Sequence, residues 1–97
     1  MHFAKPLRAG VMSGAITESV RIWVRPQVKA GGRYRFGRGA IEVTSIQEIA
    51  RETISDALAR RTGFNDAQAL LKMAQHGSGD RVFLVRFIYH PDAEGEE

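Results

Sequence analysis

The run Ser19-Val20-Arg21-Ile22-Trp23-Val24-Arg25 sets two guanidinium groups, a hydroxyl and the chain's one tryptophan on alternate positions of an apolar stretch. In an extended strand, alternate side chains point to opposite faces. Val20, Ile22 and Val24 then form a β-branched core face, and Ser19, Arg21, Trp23 and Arg25 share the other. A guanidinium holds a phosphate through two parallel hydrogen bonds, and an indole stacks on a base. The spacing therefore suits contact with a nucleotide or a single-stranded nucleic acid. It suits equally well a half-buried strand with solvated arginines.

Other chemistries lack their residues. There is no cysteine, so neither a disulfide framework nor a thiolate metal site can form. His2, His76 and His90 are scattered without ligand spacing, so no metal is expected. Neither a G-x-S-x-G elbow nor a G-x-x-x-x-G-K-[ST] phosphate loop occurs, and no cofactor is expected. Tyr34-Arg35-Phe36-Gly37 lacks the ordered octapeptide of an RNA-recognition strand.

The net charge of +3 is unevenly placed: residues 1–40 carry +7 and residues 41–97 carry −4. A basic half points to an anionic partner, provided folding does not mix the halves. No apolar run reaches the roughly 18 residues of a membrane span. Met1 to Pro6 contains no apolar leader core, so no signal peptide is expected. A cytoplasmic protein without membrane contact is the expectation.

These side chains need elements to position them. Strand signals run over Ser19–Arg25, stopped by Pro26, then Arg33–Phe36, then Ala40–Ile46 with a possible extension to Ala50. Lys29 to Gly32 reads as a turn, and Gly37-Arg38-Gly39 as a hairpin connection. Phe3 to Met12 reads as a short helix or an extended arm. Thr53 with Asp56, and Asn65 with Gln68, resemble capping boxes. The first opens a helix burying Ile54, Ala57 and Leu58 and ending near Gly63. The second opens a helix with Ala67, Leu70, Leu71 and Ala74 on one face, ending at His76-Gly77-Ser78-Gly79, with Phe64 stapling its start. Val82–Tyr89 is a long final strand. The fold expected is α+β and β-rich: an antiparallel sheet curled into a small barrel, with a helix pair between the third and last strands. One domain spans residues 1–92, and residues 93–97 form an acidic tail expected to fray.

Gly14-Ala15-Ile16-Thr17-Glu18-Ser19-Val20-Arg21 resembles the first motif of the ASCH domain family, a branch of the PUA-like superfold. The usual pattern is G-x-K-x-x-T-x-R. Gly14 and Arg21 match, Ser19 replaces the threonine conservatively, and Ile16 stands at the lysine. Gly39 to Val43 looks like the family's hairpin strand, Ala59 to Phe64 like its helix–helix corner, and Phe83 to Phe87 like its closing strand. The likeness runs from about residue 8 to 90.

The resemblance implies a PUA-like pseudobarrel with a cleft beside the first strand and a role with RNA or nucleotides. Some members look like amidohydrolases of acylated cytidines, others like ribonucleases. The amidohydrolase pattern uses the lysine, the threonine and a corner glutamate, which fall here on Ile16, Ser19 and Thr62. Ile16 cannot accept a proton, and the Thr62 hydroxyl stays protonated near neutral pH, so no catalytic set is assigned. If the protein is an enzyme, Ser19 is its candidate nucleophile. The binding set is Arg21, Arg25, Ser19, Trp23, Lys29 and Arg61, the last of these at the helix corner.

Overall fold

Four strands pair antiparallel in the order β1-β4-β3-β2, where β1 is Glu18–Trp23, β2 Arg33–Phe36, β3 Gly39–Ile49 and β4 Arg81–His90. The computed structural model describes residues 2–74 and 79–91. Helix α1, Lys5–Ser13, precedes the sheet; α2, Asp56–Arg61, and α3, Ala67–Ala74, fall between β3 and β4. The α+β class and the helix pair before the last strand are as expected. The sheet is curled but open, a half-barrel, because β1 and β2 are its two edges. Arginines on β1 and β2 therefore do not combine into one patch.

Local sequence explains most of these elements. Pro6 sits in the first turn of α1, where its missing N–H removes no helical bond. Phe3 to Met12 is thus a helix with a short extended start. Gly37 takes φ +59° in the β2–β3 turn, a conformation that costs glycine little. Two residues of β3 oppose one of β4 between Val43 and Ser45, a bulge that bends the long strand.

Some expectations are corrected. Thr53 does not cap α2; it closes the 3-10 turn Arg51–Thr53 by donating its hydroxyl to the Ala50 carbonyl, 2.7 Å away. The cap is Ser55, whose hydroxyl oxygen accepts from the Leu58 N–H at 3.1 Å. That shift rotates the buried face, so Ala59 is enclosed and Ala57 is exposed. For α3 it is Asp66, not Asn65, that accepts from the Ala69 N–H at 2.8 Å. Val24 is 63% exposed, not core, because β1 ends at Trp23. The expected end of α3 at His76-Gly77-Ser78 and the acidic tail lie outside the described residues.

Each face of the sheet has its own core. On one face Val20, Ile22, Val82 and Leu84 pack against Ile54, Leu58, Ala59 and Leu70, which α2, α3 and the segment before them supply. On the other, Phe36, Ile41 and Phe87 pack against Val11 of α1, with Phe3, Ile16 and Tyr89 alongside. Central β4 is buried from Val82 through Val85, which is why its sequence is continuously apolar instead of alternating.

The helices cover only half of the first face. The uncovered half carries Glu42, whose carboxylate oxygen lies 2.8 Å from His90 Nε2 and 3.5 Å from Arg33 Nη2. The His90 hydrogen bond, then Arg33, hold the Glu42 carboxyl below its ordinary pKa. A carboxyl lowered in the folded state stabilises above its unfolded pKa, and that contribution fades as pH falls through the folded value. Glu42→Gln is therefore expected to lower the urea midpoint at pH 7, with the gap from the parent protein closing toward pH 3. A gap of equal size at both pH values would refute this account.

Candidate functional site

The exposed long edge of β1 forms the floor of a cleft of about 960 Å³. His2, Phe3, Ala4 and Leu7 form one wall. Phe64, Met73, Ala74 and Gly79 form the other, and Val24 to Gln27 close the end. Gly79 lies so close to β1 that a Cβ there would stand 2.7 Å from the Trp23 carbonyl carbon. The volume falls within the roughly 300–1,000 Å³ of small-molecule sites.

Backbone register gives the cleft polar groups of its own. The Phe87 N–H donates to the Thr17 carbonyl at 3.0 Å. In the antiparallel β1–β4 ladder, Ser19, Arg21 and Trp23 then turn their amides toward β4, while Val20 and Ile22 turn theirs outward. The open edge thus offers N–H donors and C=O acceptors in the cleft floor.

Arg21 is the main charged group of this cleft. Its Nε donates to Ser19 Oγ at 2.7 Å, and its Nη2 donates to the His2 carbonyl at 2.6 Å. The guanidinium lies 4.8 Å from the Phe3 ring centroid, and Phe3 in turn packs on Phe36 and Phe87 at 5.4 Å each. Burial lowers the Arg21 pKa to about 10, so the group is desolvated yet still charged at neutral pH. Among the described residues no carboxylate meets it. Glu18 takes Arg61 and Arg86, Glu42 takes Arg33 and His90, and Glu48 takes Arg81. Among the described residues no Asp or Glu lines the cleft.

Nη1 of Arg21 is left free of the two bonds above and can donate to a ligand. Ser19 Oγ accepts from Arg21 and so keeps its own hydrogen to donate. Together these groups make a donor pair matched to an oxyanion. Trp23 also lines the cleft while its ring packs on Phe83, with centroids 5.9 Å apart at 37°. Arg25 stands exposed at the cleft's end, beyond the strand.

Four of the six binding residues anticipated from sequence therefore share one cleft: Ser19, Arg21, Trp23 and Arg25. Lys29 does not line it; its turn is tied to β3 by the Gly31 N–H donating to the Val43 carbonyl at 2.7 Å. Arg61 does not line it either, its Nε being bonded to Glu18 at 3.0 Å. Ile16 packs into the α1-side core, and Thr62, 2% exposed, donates its hydroxyl to the Ala59 carbonyl. His2, Phe3 and the backbone edge of β1 were missed. Phe3 is an isolated aromatic in an ambiguous segment, and nothing local ties it to a strand 18 residues later.

Among the described residues no three His, Asp or Glu cluster to hold a metal. No helix among them is long and apolar enough to cross a membrane. No protein-family model, curated protein or solved structure matches the chain.

Proposed function

We propose that the protein binds a nucleotide unit of single-stranded RNA in the β1 cleft. The observation that carries this reading is Arg21, a desolvated guanidinium that meets no carboxylate among the described residues, in a cleft that none of their acids lines. A buried charge of this kind is stabilised by an incoming anion. A phosphate meets Arg21 Nη1 and the Ser19 hydroxyl, Arg25 adds positive charge at the open end, and a base lies against Trp23 with the outward amides of Val20 and Ile22 beneath it.

The PUA-like assignment belongs to the same proposal. The curled sheet, the helix pair ahead of the last strand and the cleft beside the first strand support it. The hydrolase alternative has less behind it. Arg21 donates to the Ser19 hydroxyl and cannot take its proton, and no carboxylate among the described residues lines the cleft to activate it.

The test is binding of a fluorescent single-stranded RNA across a salt series. For Z phosphates contacted on a single strand, log K falls with log salt at a slope of about −0.7Z. A slope between about −1.4 and −2.1, with quenching of Trp23 fluorescence on binding, is expected. Absence of binding at low salt refutes the reading.

A further inference from the structure

The uncovered half of the helix-bearing sheet face is more basic than sequence order suggests. Glu18, at the first position of β1, has a side chain only 14% exposed. Its two oxygens are held by Arg61 Nε at 3.0 Å and Arg86 Nε at 3.3 Å, both arginine side chains remaining about half exposed. One carboxylate thus balances two guanidinium groups and leaves a net positive charge. Each guanidinium binds Glu18 through Nε, so its outer nitrogens stay available to a further acceptor.

These arginines border a shallow hollow with Thr17, Thr44 and Ile88. Pairing places Ile88 opposite Glu42, which is opposite Arg33, and His90 opposite Ala40, which is opposite Arg35. Side chains directly across strands share a face, so Arg33, Arg35, His90 and Glu42 lie on the same surface, with Glu42 taking Arg33 and His90. Ile88 is 50% exposed within it.

The hollow and the cleft meet at one strand end. Thr17 and Glu18 line the hollow, and Ser19 lines the cleft. Consecutive Cα atoms are about 3.8 Å apart, so the two sites are separated by little more than the thickness of β1. A polyanionic strand can therefore run from one site to the other.

We infer that the ligand of the cleft is a polynucleotide strand, not a free nucleotide, and that its backbone continues past the start of β1 onto the Arg61–Arg86 surface. This rests on the nucleotide reading of the cleft. Arg61 and Arg86 contact phosphates outside the cleft with the outer nitrogens that Glu18 does not bind. The negative, regularly spaced backbone is the charge complement of this surface.

The experiment compares an eight-nucleotide RNA with a nucleoside monophosphate on the parent protein, Arg61→Gln/Arg86→Gln, Glu18→Gln and Arg21→Ala. The parent is expected to bind the octamer at least tenfold more tightly. The double variant lowers the octamer-to-mononucleotide affinity ratio about tenfold and flattens the octamer's salt slope by about 1.4, two contacts' worth. Glu18→Gln removes the competing carboxylate and raises the ratio severalfold, which tests the proposal even if the double variant fails to fold. An octamer bound no more tightly than the mononucleotide, or a ratio that none of the Arg61, Arg86 and Glu18 changes moves, overturns the inference. The cleft reading fails separately, if Arg21→Ala leaves both affinities intact.

Discussion

Arg21→Ala is expected to weaken single-stranded RNA binding by about 10- to 150-fold, the equivalent of about 1.5–3 kcal/mol for a hydrogen bond to a charged group. The expectation follows from what surrounds the guanidinium. Two of its hydrogens are already used within the protein, on Ser19 Oγ and the His2 carbonyl. Those bonds and the Phe3 ring fix the orientation of the group before a ligand arrives, so little further ordering is needed on binding. The salt slope should shrink by about 0.7, one phosphate contact. Arg21→Lys separates charge from geometry: an ammonium keeps the slope, but it lacks the fork that reaches Ser19, His2 and the ligand together. Lysine should therefore restore the slope while recovering only part of the affinity. Equal affinity in all three proteins, measured by anisotropy at one salt concentration, would remove Arg21 from the site.

The strand that carries this residue was readable in the sequence because its alternation is strict over the seven positions from Ser19 to Arg25. Val20 and Ile22 are buried and Arg21 faces the cleft, as period two demands. Val24 continues the same pattern but is exposed, since Pro26 follows and β1 stops at Trp23. Periodicity tells which face a strand residue takes; it does not say where pairing ends. The helix starts were misplaced for a related reason. Thr53, Ser55, Asn65 and Asp66 are all competent caps, and the choice between neighbours is made by tertiary packing of Ile54, Leu58 and Leu70.

Strand order was beyond reach of local reasoning. Alternation puts Arg33 and Arg35 on one face of β2, but which strand lies beside β2 depends on long-range pairing. The sheet sends β1 and β2 to opposite edges, so these arginines join Arg86 and Arg61 instead of Arg21. The same topology leaves the β1 edge open and makes its backbone part of the cleft. Two positions that the family resemblance would make catalytic, Ile16 and Thr62, serve packing and a helix end here.

Phe87→Ala should carry the largest stability loss, about 3–5 kcal/mol, against a total of about 5–15 kcal/mol for a domain of this kind. Phe87 is 2% exposed on the central strand and fills the core between the sheet, Val11 of α1 and the ring of Phe3. Truncation loses the transfer energy of the ring and leaves a cavity that β4, paired on both sides, cannot collapse to fill. Trp23, the one indole, reports unfolding in urea; the midpoint should fall sharply with little change in slope. Phe87→Leu should recover much of the loss, because most of the cavity is refilled. The defect also reaches the cleft. Phe3 lies 5.4 Å from Phe87 and 4.8 Å from the Arg21 guanidinium, so a loosened Phe3 loosens the clamp on Arg21. Phe87→Ala should consequently bind RNA more weakly than the parent under conditions where both are folded, with the salt slope retained because no charge has been removed. A midpoint shift worth less than about 1 kcal/mol would show that the α1-side core does not hold this face together. Full stability loss with unaltered RNA affinity would show that Phe3 does not position Arg21.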